Sequence, residues 1–127
     1  MREREEAVRR WFSMWLHQTD TGICGLFTED CEYIESWGPR YVGSREIAHW
    51  FREWNNRGRV IRWDIQDFLH CGSQTAVTWH FEDRMADGAS ENFDGVSLIR
   101  WTDENTIFFL KEYGCRLPHY DPYRGHK

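Results

Sequence analysis

Between residues 59 and 116 the chain alternates apolar and polar side chains almost without pause, broken only by "CGSQ", "ADGA" and "TDEN". Each break offers Gly, Asp, Asn or Ser to a tight bend. The pattern therefore predicts strands at about residues 59 to 70, 74 to 86, 90 to 101 and 105 to 116, joined as an antiparallel meander. Strands of this length twist, so the sheet must curve, and one of its faces has to be covered.

The cover comes first in the chain. Residues 4 to 18 place Val8, Trp11, Phe12, Trp15 and Leu16 at helical spacing, with Arg9, Arg10, Ser13 and His17 on the other side. Asp20 is a candidate cap for a short second helix bearing Ile23, Leu26 and Phe27. Residues 31 to 37 then alternate, with Cys31, Tyr33, Glu35 and Trp37 on one side of a predicted strand. "GPRYVG" reads as a turn, Ser44 as the N-cap of a third helix with Ile47, Trp50, Phe51 and Trp54 on one face, and Gly58 as its stop. Helices followed by a long sheet give an α+β order in one domain of 127 residues, with residues 117 to 127 as an unperiodic C-terminal tail.

Charge and cysteine usage exclude several classes. The net charge of −5 comes without a basic cluster, so no nucleic acid partner is expected. The charged start "MREREEAVRR" has no apolar segment behind it and no later run is long enough to cross a bilayer, which predicts a cytoplasmic chain with no membrane partner. Cys24, Cys31, Cys71 and Cys115 lack the spacing of a zinc site and read as reduced thiols, with a bridge between Cys31 and Cys115 left open. His119 and Asp121 form a two-ligand pattern with no third member, so no metal is assigned and no cofactor is expected. Eight Trp and eight Phe exceed what a minimal core requires. Either the core is oversized or it surrounds an aromatic-walled cavity.

The phrases "LFTEDCEYIES", "YVGSREIAHWF", "NFDGVSLIRW" and "IFFLKEYG", in this order, resemble the SnoaL-like branch of the nuclear transport factor 2-like superfamily. The resemblance spans nearly all of residues 5 to 116. It implies a cone, in which a curved antiparallel sheet wraps the N-terminal helices and encloses an apolar cavity, and a homodimer formed through the outer sheet face. Members include ketosteroid isomerase, scytalone dehydratase, limonene epoxide hydrolase and polyketide cyclases, beside domains with no chemistry. Aligned with ketosteroid isomerase, Glu35 falls on the catalytic base. The donors of that enzyme do not carry over: Phe12 stands where its oxyanion-binding tyrosine would be, Phe27 and Phe51 where two supporting tyrosines would be, and Ser97 where a protonated aspartic acid would be. Losing such a donor typically costs about a hundredfold or more in rate, so steroid isomerisation is not expected.

The family register sends Val77, Trp79, Phe81 and Asp83 inward, with Thr78, His80 and Glu82 outward. Phe93, Gly95, Ser97 and Ile99 also point in, Asp94, Val96 and Leu98 point out, and on the last strand Phe108, Leu110 and Glu112 point in. Glu35 and Glu112 are thus the candidate catalytic pair, since two acids in a dry pocket cannot both ionise cheaply. Bland readings stand beside this one: Glu35 paired with Arg40 or Arg62, Glu112 at a wet rim, Asp83 solvated by its turn, and His17 and His49 on the surface. Candidate ligand-binding residues are Phe12, Tyr33, Trp50, Phe51, Trp63, Trp79, Phe81, Phe93, Ser97 and Leu110. Trp11, Trp15, Trp50, Trp54, Trp63 and Trp79 can also be read as a cage for a cation, although most such rings are core. The function implied is binding of a small hydrophobic ligand, with cofactor-independent acid-base chemistry of isomerase, dehydratase or cyclase type. The alternative is a non-catalytic dimeric binding or scaffold domain.

Overall fold

Helix α1 runs Arg2–His17 and buries Val8, Trp11, Phe12, Met14 and Trp15. It stops where Gln18 adopts a left-handed conformation (φ 53°) and its N–H returns to the last turn. The computed structural model describes residues 1–124 and continues with α2 (Ile23–Leu26), β1 (Phe27–Ile34), β2 (Arg40–Val42), α3 (Ser44–Asn55), β3 (Gly58–Cys71), β4 (Gln74–Met85), β5 (Ser90–Trp101) and β6 (Ile107–Arg116). The six strands form one curved, unclosed sheet in the order β2-β1-β6-β5-β4-β3. Helices and the inner sheet face share a core that includes Trp11, Tyr33, Ile47, Trp79, Ile99 and Leu110.

The meander from β3 to β6 is antiparallel throughout. The sheet as a whole is not. Strand β1 pairs parallel to β6, with Tyr33 beside Leu110, so the expected antiparallel sheet is corrected to a mixed one. The reason is connectivity: β1 and β6 are separated by α3 and the whole meander, and strands joined by a long path are free of the constraint that a hairpin imposes.

Local chemistry corrects several further boundaries. "GPRYVG" is more than a turn: its centre is edge strand β2, which places Tyr41 opposite Tyr33. Strand β1 begins at Phe27 and closes at Ile34, so Glu35 and Trp37 lie beyond it, and Trp37 is 75% exposed. Ser44 is buried inside the first turn of α3 and does not cap it. Gly43 holds the cap position with φ 91°, its N–H donating to the Cys31 carbonyl at 2.7 Å. A side chain there would meet the Glu29 carbonyl at 2.5 Å, so both conformation and space favour glycine. Glu46 completes the start of the helix by accepting the Val42 N–H at 2.8 Å. The helix ends at Asn55, while Gly58 opens β3. The Asp20 carboxylate does receive the N–H groups of Gly22 and Ile23, both at 2.8 Å, from just outside α2.

The inward set holds on β4, where Val77, Trp79 and Asp83 are buried, and on β5, where Ser97 and Ile99 are. On β6 it fails at one residue. The β5–β6 register slips between Arg100 and Trp101, giving Phe108 no partner and leaving it 40% exposed, while Ile107 and Leu110 are both fully buried. That bulge reverses the side-chain direction once and returns Leu110 and Glu112 to the inside. All four cysteines are free, which removes the Cys31–Cys115 bridge. Residues 125 to 127 of the predicted tail lie outside the described residues; Tyr120 and Tyr123 are exposed.

Candidate acid-base site in an aromatic cavity

Between the helices and the inner face of the curved sheet lies a cavity of ≈ 800 Å³. Its helix side carries Trp15, Trp50 and Trp54, and its sheet side carries Trp63, Trp79, Phe81 and Phe93. Tyr41 lies flat on Trp50, with ring centroids 4.4 Å apart and planes 14° from parallel. Trp63 meets Trp79 and Phe81 edge to face at 5.7 and 5.3 Å. These contacts hold the rings against one another, so the walls keep their shape without a ligand.

Glu35 and Glu112 both line this cavity, from different ends of the chain. Glu35 follows the last residue of β1 and its backbone is pinned on both sides: its N–H donates to the Pro39 carbonyl at 2.9 Å and its carbonyl accepts from Gly38 at 3.0 Å. The Tyr41 hydroxyl donates to its carboxylate at 2.7 Å. Burial raises the Glu35 pKa above the usual carboxylate range, while hydrogen bonds from Tyr41 and Trp37 pull it down; the Glu91 charge adds to the rise and the Arg57 charge opposes it. The expected partners are absent: Arg40 is bound to Glu32 at 2.6 Å and Arg62 to Asp64 at 2.7 Å.

Glu112 ends a buried chain. The Trp11 indole donates to the Tyr33 hydroxyl at 3.2 Å, and that hydroxyl donates to Glu112 Oε2 at 2.5 Å. Burial pushes the Glu112 pKa up to about 8; the Tyr33 bond opposes this and the Glu35 charge reinforces it. The Tyr33 phenol is itself held well above its ordinary value, chiefly by burial, so it remains a donor. Glu35 has two donors and a nearby guanidinium, whereas Glu112 has one neutral donor. Near neutral pH Glu112 is therefore the member that keeps a proton. The Tyr33 bond holds Oε2 and leaves Oε1 as the oxygen it does not occupy.

A second carboxyl pair was not legible as such. Asp83, read as solvated, is 1% exposed, and its pKa is pushed up to about 7 by burial first and then by the carboxyl of Glu91. The Glu91 N–H donates to it at 2.8 Å. Both residues line the cavity, as do Glu46, Glu53, His49 and Arg57. His49 is exposed as expected, yet forms part of this wall.

Of the candidate ligand-binding residues, Trp50, Trp63, Trp79, Phe81 and Phe93 line the cavity. Phe12, Tyr33, Phe51, Ser97 and Leu110 do not, because other groups cover them. The Phe12 ring stacks on Trp63 at 3.8 Å and so lies behind it. Phe51 packs edge to face on Trp15 at 4.8 Å. The Ser97 hydroxyl accepts the Trp79 indole N–H at 3.0 Å, and Leu110 is fully buried. Tyr33 acts one step back, through Glu112. Tyr41, Trp37 and Arg57 are lining residues that sequence reasoning missed; the β1–β2 pairing that brings Tyr41 in was hidden inside an apparent turn.

The remaining candidates sit elsewhere. His80 and His119 approach Asp94 at 3.2 and 3.3 Å on the outer side of the sheet, and His17 bonds Ser13 within α1. Among the described residues no group of three or more His, Cys, Asp or Glu could hold a metal ion, and no helix is long and apolar enough to cross a membrane.

This architecture has close parallels among solved structures. An LEH-like epoxide hydrolase from M. tuberculosis superposes with a TM-score of 0.77 at 15% identity, over 89% of this chain and 83% of that one. An NTF2-like protein of unknown function from Burkholderia pseudomallei K96243 gives 0.74 at 14% identity, over 89% and 91%. A hypothetical protein with ketosteroid isomerase-like fold from Catenulispora acidiphila DSM 44928, in complex with trimethylamine, gives 0.71 at 18% identity, over 85% and 84%. At such identities the likeness is one of fold. No curated protein matches the chain. The sequence profile of the SnoaL-like domain matches residues 8–107, more than half of the chain, and the chain belongs to that family.

Proposed function

We propose that this protein is a cofactor-independent acid-base enzyme acting on a small, largely apolar substrate, with Glu35 as base and Glu112 as acid. One observation carries the reading: two carboxyl groups line one aromatic cavity, each held by its own tyrosine, and although burial raises both pKa values, two donors and the Arg57 charge restrain the rise at Glu35 while Glu112 is pushed up to about 8. Glu35 takes a proton from a carbon or hydroxyl of the substrate. Glu112 delivers its proton to the oxygen where charge collects, so the step conserves atoms and charge and needs no oxidant. Glu112 and Tyr33 together occupy the chemical role that the positions of Phe12, Phe27, Phe51 and Ser97 leave vacant.

Proton exchange tests this directly. In D₂O, a polycyclic ketone with acidic α-protons is expected to gain deuterium faster with the protein than in buffer, read by NMR, and Glu35→Gln is expected to abolish the gain. Exchange no faster than buffer, or unaffected by Glu35→Gln, would overturn the assignment. On the outer sheet face Val96 and Tyr113 are register partners and Tyr113 is 49% exposed, which supports a homodimer through that face. Val96→Arg is expected to leave a monomer in sedimentation.

A further inference from the structure

The cavity has an uneven charge. Six carboxyl groups line it, from Glu35, Glu46, Glu53, Asp83, Glu91 and Glu112, against the Arg57 guanidinium and the His49 imidazole. Arg57 is already committed, with both Glu53 oxygens at 2.6 and 3.1 Å. The three acids nearest the interior hold only neutral donors: Tyr41 on Glu35, Tyr33 on Glu112 and a backbone N–H on Asp83. Glu46, Glu53 and Glu91 are exposed and so belong to the outer part of the cavity, as does the 75%-exposed Trp37. Most of the rest of the wall is ring faces and edges, with Ser36, Met85 and Ala89 between them.

We infer that the physiological ligand is an organic cation, a hydrophobic amine or quaternary ammonium, whose charged end sits at the mouth, where Glu46 and Glu91 are exposed, while its apolar body reaches Glu35 and Glu112. Two independent terms point the same way. Aromatic quadrupoles attract a cation over their faces, and they do so more strongly where water is displaced. With Glu112 protonated near neutral pH and Glu53 balanced by Arg57, the carboxylates of Glu35, Glu46 and Glu91 still leave a negative excess that repels an anion of the same shape and compensates the desolvation of a cation, which an uncharged aromatic slot cannot do. The indole N–H groups of Trp15 and Trp63 do not argue for an anionic or carbonyl ligand: they are shielded from the cavity and have no hydrogen-bond partner among the described residues.

This inference rests on the reading of the cavity as a ligand site, and one titration separates the two. The probes are phenyltrimethylammonium and its uncharged carbon isostere tert-butylbenzene, followed by calorimetry and tryptophan fluorescence. The cation is expected to bind about tenfold or more tightly than the isostere. The double variant Glu46→Gln, Glu91→Gln, at two exposed positions, is expected to weaken the cation roughly threefold or more and to leave the isostere unchanged. Isostere binding as tight as cation binding would overturn the cation assignment and leave the ligand site standing. Tighter cation binding that the double variant does not weaken would overturn the placement at the mouth. Failure of both probes to bind would overturn the cation assignment together with the ligand site.

Discussion

Two hydrogen-bonded chains run through this small protein, each beginning at a buried tryptophan, and they end very differently. At the cavity, Trp11 donates to Tyr33 and Tyr33 to Glu112. Near the ends of the β3–β4 hairpin, Trp101 donates to the Thr75 hydroxyl at 2.9 Å, Thr75 meets His70 Nδ1 at 2.9 Å, and His70 Nε2 meets Glu5 at 2.8 Å. The second chain ties α1 to the sheet and ends in an acid facing a titratable base, with the Glu5 side chain 33% exposed. The first ends in an acid whose one donor is a neutral phenol and whose charged neighbour is another acid. A polar network built for stability closes on itself or on solvent; one built for chemistry leaves a group unbalanced where a substrate can reach it. By that standard Glu5–His70–Thr75, although it looks like an acid, a histidine and a hydroxyl in sequence, is a strut, since Thr75 is 1% exposed and can attack nothing.

Turnover should break the symmetry most sharply. Glu35→Gln and Glu112→Gln are each expected to lower kcat by about a hundredfold to ten-thousandfold, the range of a positioned acid or base, with the fold intact by circular dichroism. Glu5→Gln should leave kcat within about twofold, since Glu5 never meets substrate. Equal losses at both ends would erase the distinction. Stability should show the converse. His70→Ala strips the Thr75 hydroxyl and Glu5 of their partner and is expected to cost about 1–3 kcal/mol in urea unfolding, without altering affinity for a cavity ligand.

A third difference concerns pH. Glu112 and Asp83 have raised pKa values in the folded protein, about 8 and about 7, whereas unfolded carboxyls lose their protons near 4. Between these limits the folded state binds more protons than the unfolded one. The stability these two groups contribute is therefore fully present below about pH 4, declines as pH rises toward about 8, and is gone beyond. Glu112→Gln removes one source of the decline, so it is expected to raise Tm by roughly 3–8 °C at pH 9 and by less at pH 5, in paired thermal scans. The same proton governs turnover: kcat/KM should fall above about pH 8, as Glu112 ionises, and at low pH, as Glu35 takes up a proton.

How far the sequence reveals this depends on the range of the interaction. The family register put Trp79, Asp83, Phe93 and Glu112 on the inner side of their strands, and alternation, a period of two set by neighbours in the chain, carries such a placement along a strand until a bulge interrupts it, as Phe108 demonstrates. Glu35 was legible for the same reason, although it lies one residue beyond the strand. What stayed hidden was pairing between distant segments. That Tyr41 would serve Glu35 depends on an edge strand of three residues, that Tyr33 would serve Glu112 depends on a parallel β1–β6 pairing, and that Asp83 would share a wall with Glu91 depends on the β4–β5 register. Phe12 and Ser97 were misplaced by geometry of another kind. Both point inward, but larger rings lie across them, and side-chain direction alone says nothing about which layer is last.

The finest test separates the two relays themselves. Tyr33→Phe removes a single oxygen, and with it the one donor that holds the Glu112 pKa down, so the high-pH limb of kcat/KM should move upward. The Trp11 N–H also loses its acceptor, which sets the expected stability loss at about 1 kcal/mol. At neutral pH Glu112 already carries its proton, so kcat should fall only a few-fold there, through looser positioning of the carboxyl. Thr75→Val is the matching change at the other end: it orphans the Trp101 indole and one side of His70, lowers stability by a similar amount, and should leave the pH profile where it was. A limb that moves in Thr75→Val, or stays fixed in Tyr33→Phe, would show that Tyr33 supports the core in the way Thr75 does and has no hold on the proton of Glu112.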